Sequence, residues 1–452
     1  MSESLYIKLK KKIDLSKSSL VCFFTCFIFL FPLFPTAVLS IALGLFIISG
    51  FFLTKKKVNK EAIIIFLFAT SWIFILLISL SYSNNIDYGI KLSQRYFNIL
   101  LIVAVFLFFF KNKVSYNKFI FFTLFIISNI IFVVVIYYKA IIIIEQTCYP
   151  QIYYKPILEK ILFVLKKPNH IIFSCFESQT KHSLHIHRVY NSMGFLFSIL
   201  LTLELLFSRE VREKSKNYIY YFLGVLVITF FTFLIYYQFS VVNVVLTLIL
   251  VPLFLIIKIK IKKRYILSLV LLFIVFALSR EKFNNNDILF NVAKNQLQPA
   301  ANLIIKTFTG DTKGDVDERF EINKANVYLI KNNLIFGVGI GDVQDELNTF
   351  YLNHINESKV YGLALEKKLN SHNNYAFLWI AGGLILLIPF LINLLFSLYV
   401  SYINRDWLFL CFIILITINM LTENILSRMT GILFYTLFNS LFLASNKLKL
   451  KL

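Results

Sequence analysis

Residues 61–82 read EAIIIFLFATSWIFILLISLSY, directly after the basic run Lys55-Lys56-Lys57 and Lys60. At about 1.5 Å of rise per residue, a helix of this length crosses the roughly 30 Å hydrocarbon core of a bilayer. Its backbone hydrogen bonds close within the segment, as a lipid environment requires. Working outward, apolar blocks of the same kind recur near 19–35, 36–53, 96–110, 119–143, 189–207, 218–236, 239–257, 265–279, 375–400, 407–423 and 430–445. The chain of 452 residues is 58% hydrophobic and only 15% charged, with a mean hydropathy of +0.74. No single soluble core of this length hides so much apolar surface. The sequence therefore predicts an all-α, polytopic membrane bundle of about twelve spans.

The first block follows a lysine-rich stretch, as a signal peptide would. It runs into the next block without an A-x-A-like cleavage site, which predicts a retained span. The formal net charge of +22 does not point to nucleic acid, because in a membrane protein the location of the cations matters more than their number. With the amino terminus inside, the short inner segments hold 25 of the 46 basic residues, including Lys55 to Lys57 and Lys258 to Arg264. Both termini are thus expected in the cytoplasm. The chain then divides into nine spans over 1–279 with an external loop at about 144–188, a large external loop over 280–374, and three spans with a basic tail over 375–452. External loops of that length carry function more often than mere connection.

All six histidines, His170, His182, His185, His187, His354 and His372, fall in the two long external segments. They gather the proton-transfer candidates on one side of the membrane. His182, His185 and His187 place three imidazoles close together, but their spacing fits no common zinc pattern, and H-E-x-x-H is absent. Neither a metal nor another cofactor is expected. Cys148 and Cys175 share one external loop, where a disulfide is chemically permitted. Cys22, Cys26 and Cys411 lie in apolar blocks and read as filling. Glu204 is costly inside a span, and is expected near the cytoplasmic end, within reach of water.

The segment Phe336-Gly337-Val338-Gly339-Ile340-Gly341-Asp342 lacks the G-x-G-x-x-G spacing and βαβ context of a dinucleotide loop. Its glycines predict either a tight structural turn or a turn whose N–H groups approach an anion. Within the large loop stands Arg319-Phe320-Glu321, and later come Ser371-His372-Asn373-Asn374-Tyr375 and a span bearing Ala381-Gly382-Gly383.

Taken in this order, with Asn332-Asn333-Leu334-Ile335 leading into the glycines, these residues resemble the O-antigen ligase and polymerase family. The resemblance covers about 319–390, and the layout of spans extends it over the rest. It implies a GT-C-like helical scaffold in a bacterial inner membrane, with the active site on the periplasmic face. It also implies a metal-independent glycosyltransferase that moves a glycan from an undecaprenyl-diphosphate carrier to an acceptor hydroxyl. Carried over residue by residue, Arg319 contacts the donor diphosphate and His372 acts at the acceptor hydroxyl. Arg188 is the candidate for a second diphosphate arginine. It sits in His187-Arg188-Val189-Tyr190, where related sequences often show H-P-T-Y, so His187 and Tyr190 compete with it for the functional position.

Elementary chemistry agrees with those roles. A departing diphosphate gathers negative charge, which the planar fork of Arg319 is shaped to receive. A neutral imidazole at the head of a span is suited to take the hydroxyl proton, a service worth about 10²–10⁴-fold. Asn373, Asn374 and Tyr375 are expected to orient the ring or line the acceptor path, and Gly337, Gly339 and Gly341 to approach the diphosphate. The partners expected are the carrier-linked glycan, an acceptor and the bilayer, with no nucleic acid. A ligase would use the lipid A core as acceptor, and a polymerase a second carrier-linked chain. A transporter or flippase would instead show spans broken by Gly, Pro or charge near their middles.

Overall fold

The computed structural model describes residues 22–53, 60–110, 114–143, 156, 159, 188–208, 218–238, 240–259, 318–354 and 369–446. Among them the secondary structure is helical, with no strand. In chain order the main helices are α1 (Thr36–Leu53), α2 (Lys60–Ile78), α3 (Ile86–Ala104), α4 (Val114–Ile143), α5 (Arg188–Phe207), α6 (Tyr218–Gln238) and α7 (Val241–Ile259). They continue with α8 (Glu318–Asn332), α9 (Val343–His354), α10 (Asn374–Ile403), α11 (Trp407–Thr422) and α12 (Met429–Ser445).

Seven of the described helices are long and apolar enough to cross a membrane, and 37–51, α11 and α12 are shorter apolar helices. The expected span at 265–279 lies outside the described residues, as do Cys148, Cys175, His170, His182, His185 and His187. The first apolar block is helical only over 22–28 before it turns through Phe31–Leu33. Pro32 and Pro35 account for the turn, since neither donates an N–H to a continuing helix.

The fourth span also differs from expectation. Its helix starts at Ile86, ten residues ahead of the apolar block, because the Asn85 side chain caps it by accepting from Tyr88 N at 3.1 Å. Lys91 and Arg95 therefore ride on a helix instead of a loop.

The chain forms two compact units, one of residues 1–125 and 313–452, the other of 126–312. In the second, α5 packs against α6 and α7. Glu204 Oε1 lies 2.8 Å from Lys258 Nζ, at the end of α7 read as cytoplasmic.

In the first unit, α10 packs along α2 and α11, and α12 along α3. Aromatic side chains fill the contacts. Trp72 meets Tyr96 and Phe390 edge to face at 5.9 and 5.0 Å, and Phe438 meets Phe29 and Phe125 at 5.3 and 4.9 Å.

Three segments read as external from charge and hydropathy come together at one end of this unit. They are the turn before α3, the stretch from α8 to the head of α10, and the link between α11 and α12. At the opposite end Asn446 donates to the Asp406 carboxylate at 3.0 Å, joining two segments read as internal.

Candidate active site

Two structures share the loop-bearing end of the first unit. One is a seam built on glycines. The helix α10 breaks at Gly383 (φ 65°, ψ −162°), a conformation open to glycine and little else. The turn after α8 fills that break. Val338 N and Gly339 N donate to Ile380 O and Ala381 O at 2.8 and 2.9 Å, while Leu384 N and Ile385 N donate to Leu334 O and Ile335 O at 3.0 and 3.4 Å.

A side chain on Gly337 would run into the backbone at 380–382, one on Gly341 into Asn85 O, and one on Gly383 into Ile335 O. Gly337 N donates to Asn333 O and Gly341 N to Ser83 Oγ, so the N–H groups of Gly337, Gly339 and Gly341 are all used within the protein. They are not presented to an anion, and the structural turn accounts for all three glycines. Asp342, quoted in the motif but given no role by sequence, closes the seam: its carboxylate accepts from Asn84 N and Asn85 N, each at 2.7 Å.

The second structure is a polar rim. His372 lies in the short link before α10 with φ 42°, a left-handed conformation rare for a residue with a side chain. Its neighbours fix that turn. His372 N donates to Asn370 Oδ1 at 2.9 Å, Asn326 of α8 donates to Ser371 O at 2.9 Å, and Gln344 of α9 donates to Leu369 O at 3.1 Å.

Asn373 caps α10 by accepting from Tyr375 N and Ala376 N. Asn374, fully buried, accepts from Leu426 N at 3.0 Å, and the Tyr375 hydroxyl donates to Thr417 O at 3.0 Å. These three residues hold the backbone around His372 by capping and stitching, and do so with atoms turned into the protein.

Arg319 stands on the first turn of α8, with 52% of its side chain exposed. It and His372 meet at a residue that the sequence reading passed over. Glu423, where α11 ends, is 8% exposed; its Oε2 is 3.4 Å from His372 Nδ1 and its Oε1 is 4.0 Å from Arg319 Nη2. The imidazole itself remains 30% exposed.

Arg95, expected in a loop, reaches the same α11–α12 link from α3 and donates from Nη1 to Ser427 O at 2.8 Å. Arg319 and His372 thus flank a buried carboxylate, and Arg95 holds the link that follows it. That arrangement favours an anionic ligand at the surface and a polarised imidazole beside it.

Arg188 and Tyr190 belong to the other unit, at the start of α5, where Tyr190 is buried. His187 is outside the described residues. Among the described residues, no group of three His, Cys, Asp or Glu side chains is placed to hold a metal ion.

Residues 222–391 match the model of the O-antigen ligase family. The matched part is less than half of the chain; it includes Arg319, the glycine seam and His372, and leaves Glu423 and Arg188 outside. The match supports a membrane glycosyltransferase of the O-antigen ligase or polymerase type. Together with the apolar helices it places the chain among bacterial membrane proteins. A search of curated proteins returns no match to the chain.

Proposed function

We propose that this protein is an O-antigen ligase, transferring a glycan from undecaprenyl diphosphate to a sugar hydroxyl of the lipid A core at the periplasmic face of the inner membrane. The observation that carries the reading is that Arg319 and His372, named from separated motifs, reach the two oxygens of one carboxylate.

The reaction then runs as follows. The acceptor oxygen attacks the anomeric carbon while the bond from that carbon to the diphosphate oxygen breaks, its electron pair leaving with the phosphate. Arg319, half exposed, meets the charge that develops there. His372 takes the hydroxyl proton as the new bond forms. The segments that meet around these residues are those whose flanking charge assigns them to the outside, which supports a periplasmic site and cytoplasmic termini.

A transporter would use a broken helix such as α10 as an open coordination site. Here the carbonyls of Ile380 and Ala381 and the N–H groups of Leu384 and Ile385 are occupied by the glycine turn, which favours the enzyme.

Complementation of a deletion strain by wild type, Arg319→Ala and His372→Ala tests the proposal, with protein level and surface glycan followed on gels. Both variants are expected at normal level with glycan transfer reduced by roughly 10²-fold or more. Long chains left on the carrier establish the ligase. Single units on the lipid core instead identify a polymerase. A normal glycan pattern from both variants overturns the assignment.

A further inference from the structure

We infer that Glu423 is a positioning residue for the reaction, holding the Nδ1–H of His372 so that Nε2, with its lone pair, faces the acceptor hydroxyl. The inference rests on the reading of His372 as the base and adds a residue that neither the motifs nor the family match contains.

His372 Nδ1 is buried with no aligned hydrogen-bond partner among the described residues. The Glu423 carboxylate, 3.4 Å away, is the group in position to satisfy it. A short rotation of either side chain completes the bond, and such bonds are commonly long in substrate-free sites.

Both backbones are pinned at that separation. Asn424 Nδ2 donates to Ser371 Oγ at 3.3 Å and Leu426 N to Asn374 Oδ1 at 3.0 Å, so the residues flanking Glu423 are tied to those flanking His372. Glu423 N donates to Asn419 O at 3.0 Å, which fixes the carboxylate to the end of α11. The left-handed φ of 42° at His372 aims the ring while its own N–H is held by Asn370. Strain of this kind persists where the surroundings over-determine it, and it gathers at working sites.

The charge balance follows from this geometry. With Nδ1–H directed at a carboxylate, the neutral ring has its lone pair at Nε2. When Nε2 takes the hydroxyl proton, the imidazolium forms beside a negative charge, and the pair becomes neutral as a whole. The proton then leaves Nε2 for water or for the departing diphosphate. A carboxylate in this relation to an imidazole sets its tautomer and stabilises its cation, a service worth up to about 10⁴-fold elsewhere. Arg319 touches the other oxygen at 4.0 Å, and being half exposed contributes little through that pair alone.

The test is steady-state kinetics on purified full-length protein with a lipid-diphosphate-linked glycan and an acceptor glycolipid. Glu423→Gln keeps the volume and removes the charge. It is expected to lower kcat by roughly 10²-fold while the donor KM stays within about threefold. Glu423→Asp, which keeps the charge on a shorter arm, is expected to recover part of that loss. It also serves as the test variant if Glu423→Gln does not fold.

On an Arg319→Lys background the Glu423→Gln loss should persist. A raised donor KM with unchanged kcat would mean that Glu423 acts through Arg319, and would overturn the inference. So would normal kinetics of Glu423→Gln alongside an inactive His372→Ala. A fully active His372→Ala would instead remove the base reading beneath it.

Discussion

Gly337, Gly339 and Gly383 in the seam, and His372 in the rim, all take positive φ, at 69°, 95°, 65° and 42°. In the seam the left-handed positions are glycines, and the N–H groups that face other segments there have found partners. In the rim a histidine occupies such a position, and among the described residues its buried Nδ1 has no aligned partner. Glycine or asparagine is the commoner occupant of such a position; His372 and, in the turn after α10, Arg405 at φ 54° are its non-glycine exceptions among the described residues. The difference separates two kinds of motif: one whose residues are dictated by space, and one whose residue stands in a conformation that its side chain disfavours.

The largest effect that follows concerns Gly383→Ala. Its new Cβ would collide with Ile335 O at a φ that alanine avoids, and neither backbone is free to withdraw. Loss of about 4 kcal/mol or more is expected, seen as loss of monodisperse protein after detergent extraction. Recovery of normal amounts of folded but inactive protein would break the comparison.

Asp342→Ala comes next. It leaves Asn84 N and Asn85 N without their acceptor and should cost about 2–4 kcal/mol in thermal stability, with activity per folded molecule retained. Tyr82→Phe removes a hydroxyl that donates to Phe336 O at 2.6 Å, and about 1 kcal/mol is expected from the same measurement. Smallest in stability is His372→Gly. Relief of the left-handed strain should leave the melting temperature unchanged or raised by up to about 1 kcal/mol in equivalent stability, while transfer is abolished. A clear drop in melting temperature would put His372 with the packing residues and erase the contrast.

Much of this was legible in the sequence because it is periodic or local. Apolar block length fixes which segments become long helices, and the basic runs beside Lys55 and Lys258 label their ends. The ordered motifs name Arg319 and His372 from residue types alone. What escaped depends on distant chain segments. Glu423 closes an apolar block and looks like any interfacial carboxylate; only the folded chain brings it to His372. Gly382 and Gly383 were visible as a motif, yet 375–400 reads as one uninterrupted span, because the turn that fills the break comes from the residues after α8. Arg95 fell in an expected loop because Asp87, Lys91 and Gln94 lower the hydropathy of a segment that an Asn85 cap turns into helix. The same locality misdirects in the other direction: three glycines in alternation suggest an anion cradle until their N–H partners are traced.

The broken helix has one further consequence. Between the Asn373 cap and the Gly383 break, α10 is a rod of fewer than three turns, clamped at both ends. Adding or deleting one residue within it would swing His372 through about 100° around the rod axis. Its side chains are mostly buried and its length behaves as a phase, so between Tyr375 and Gly382 an insertion costs more than a volume-conserving substitution.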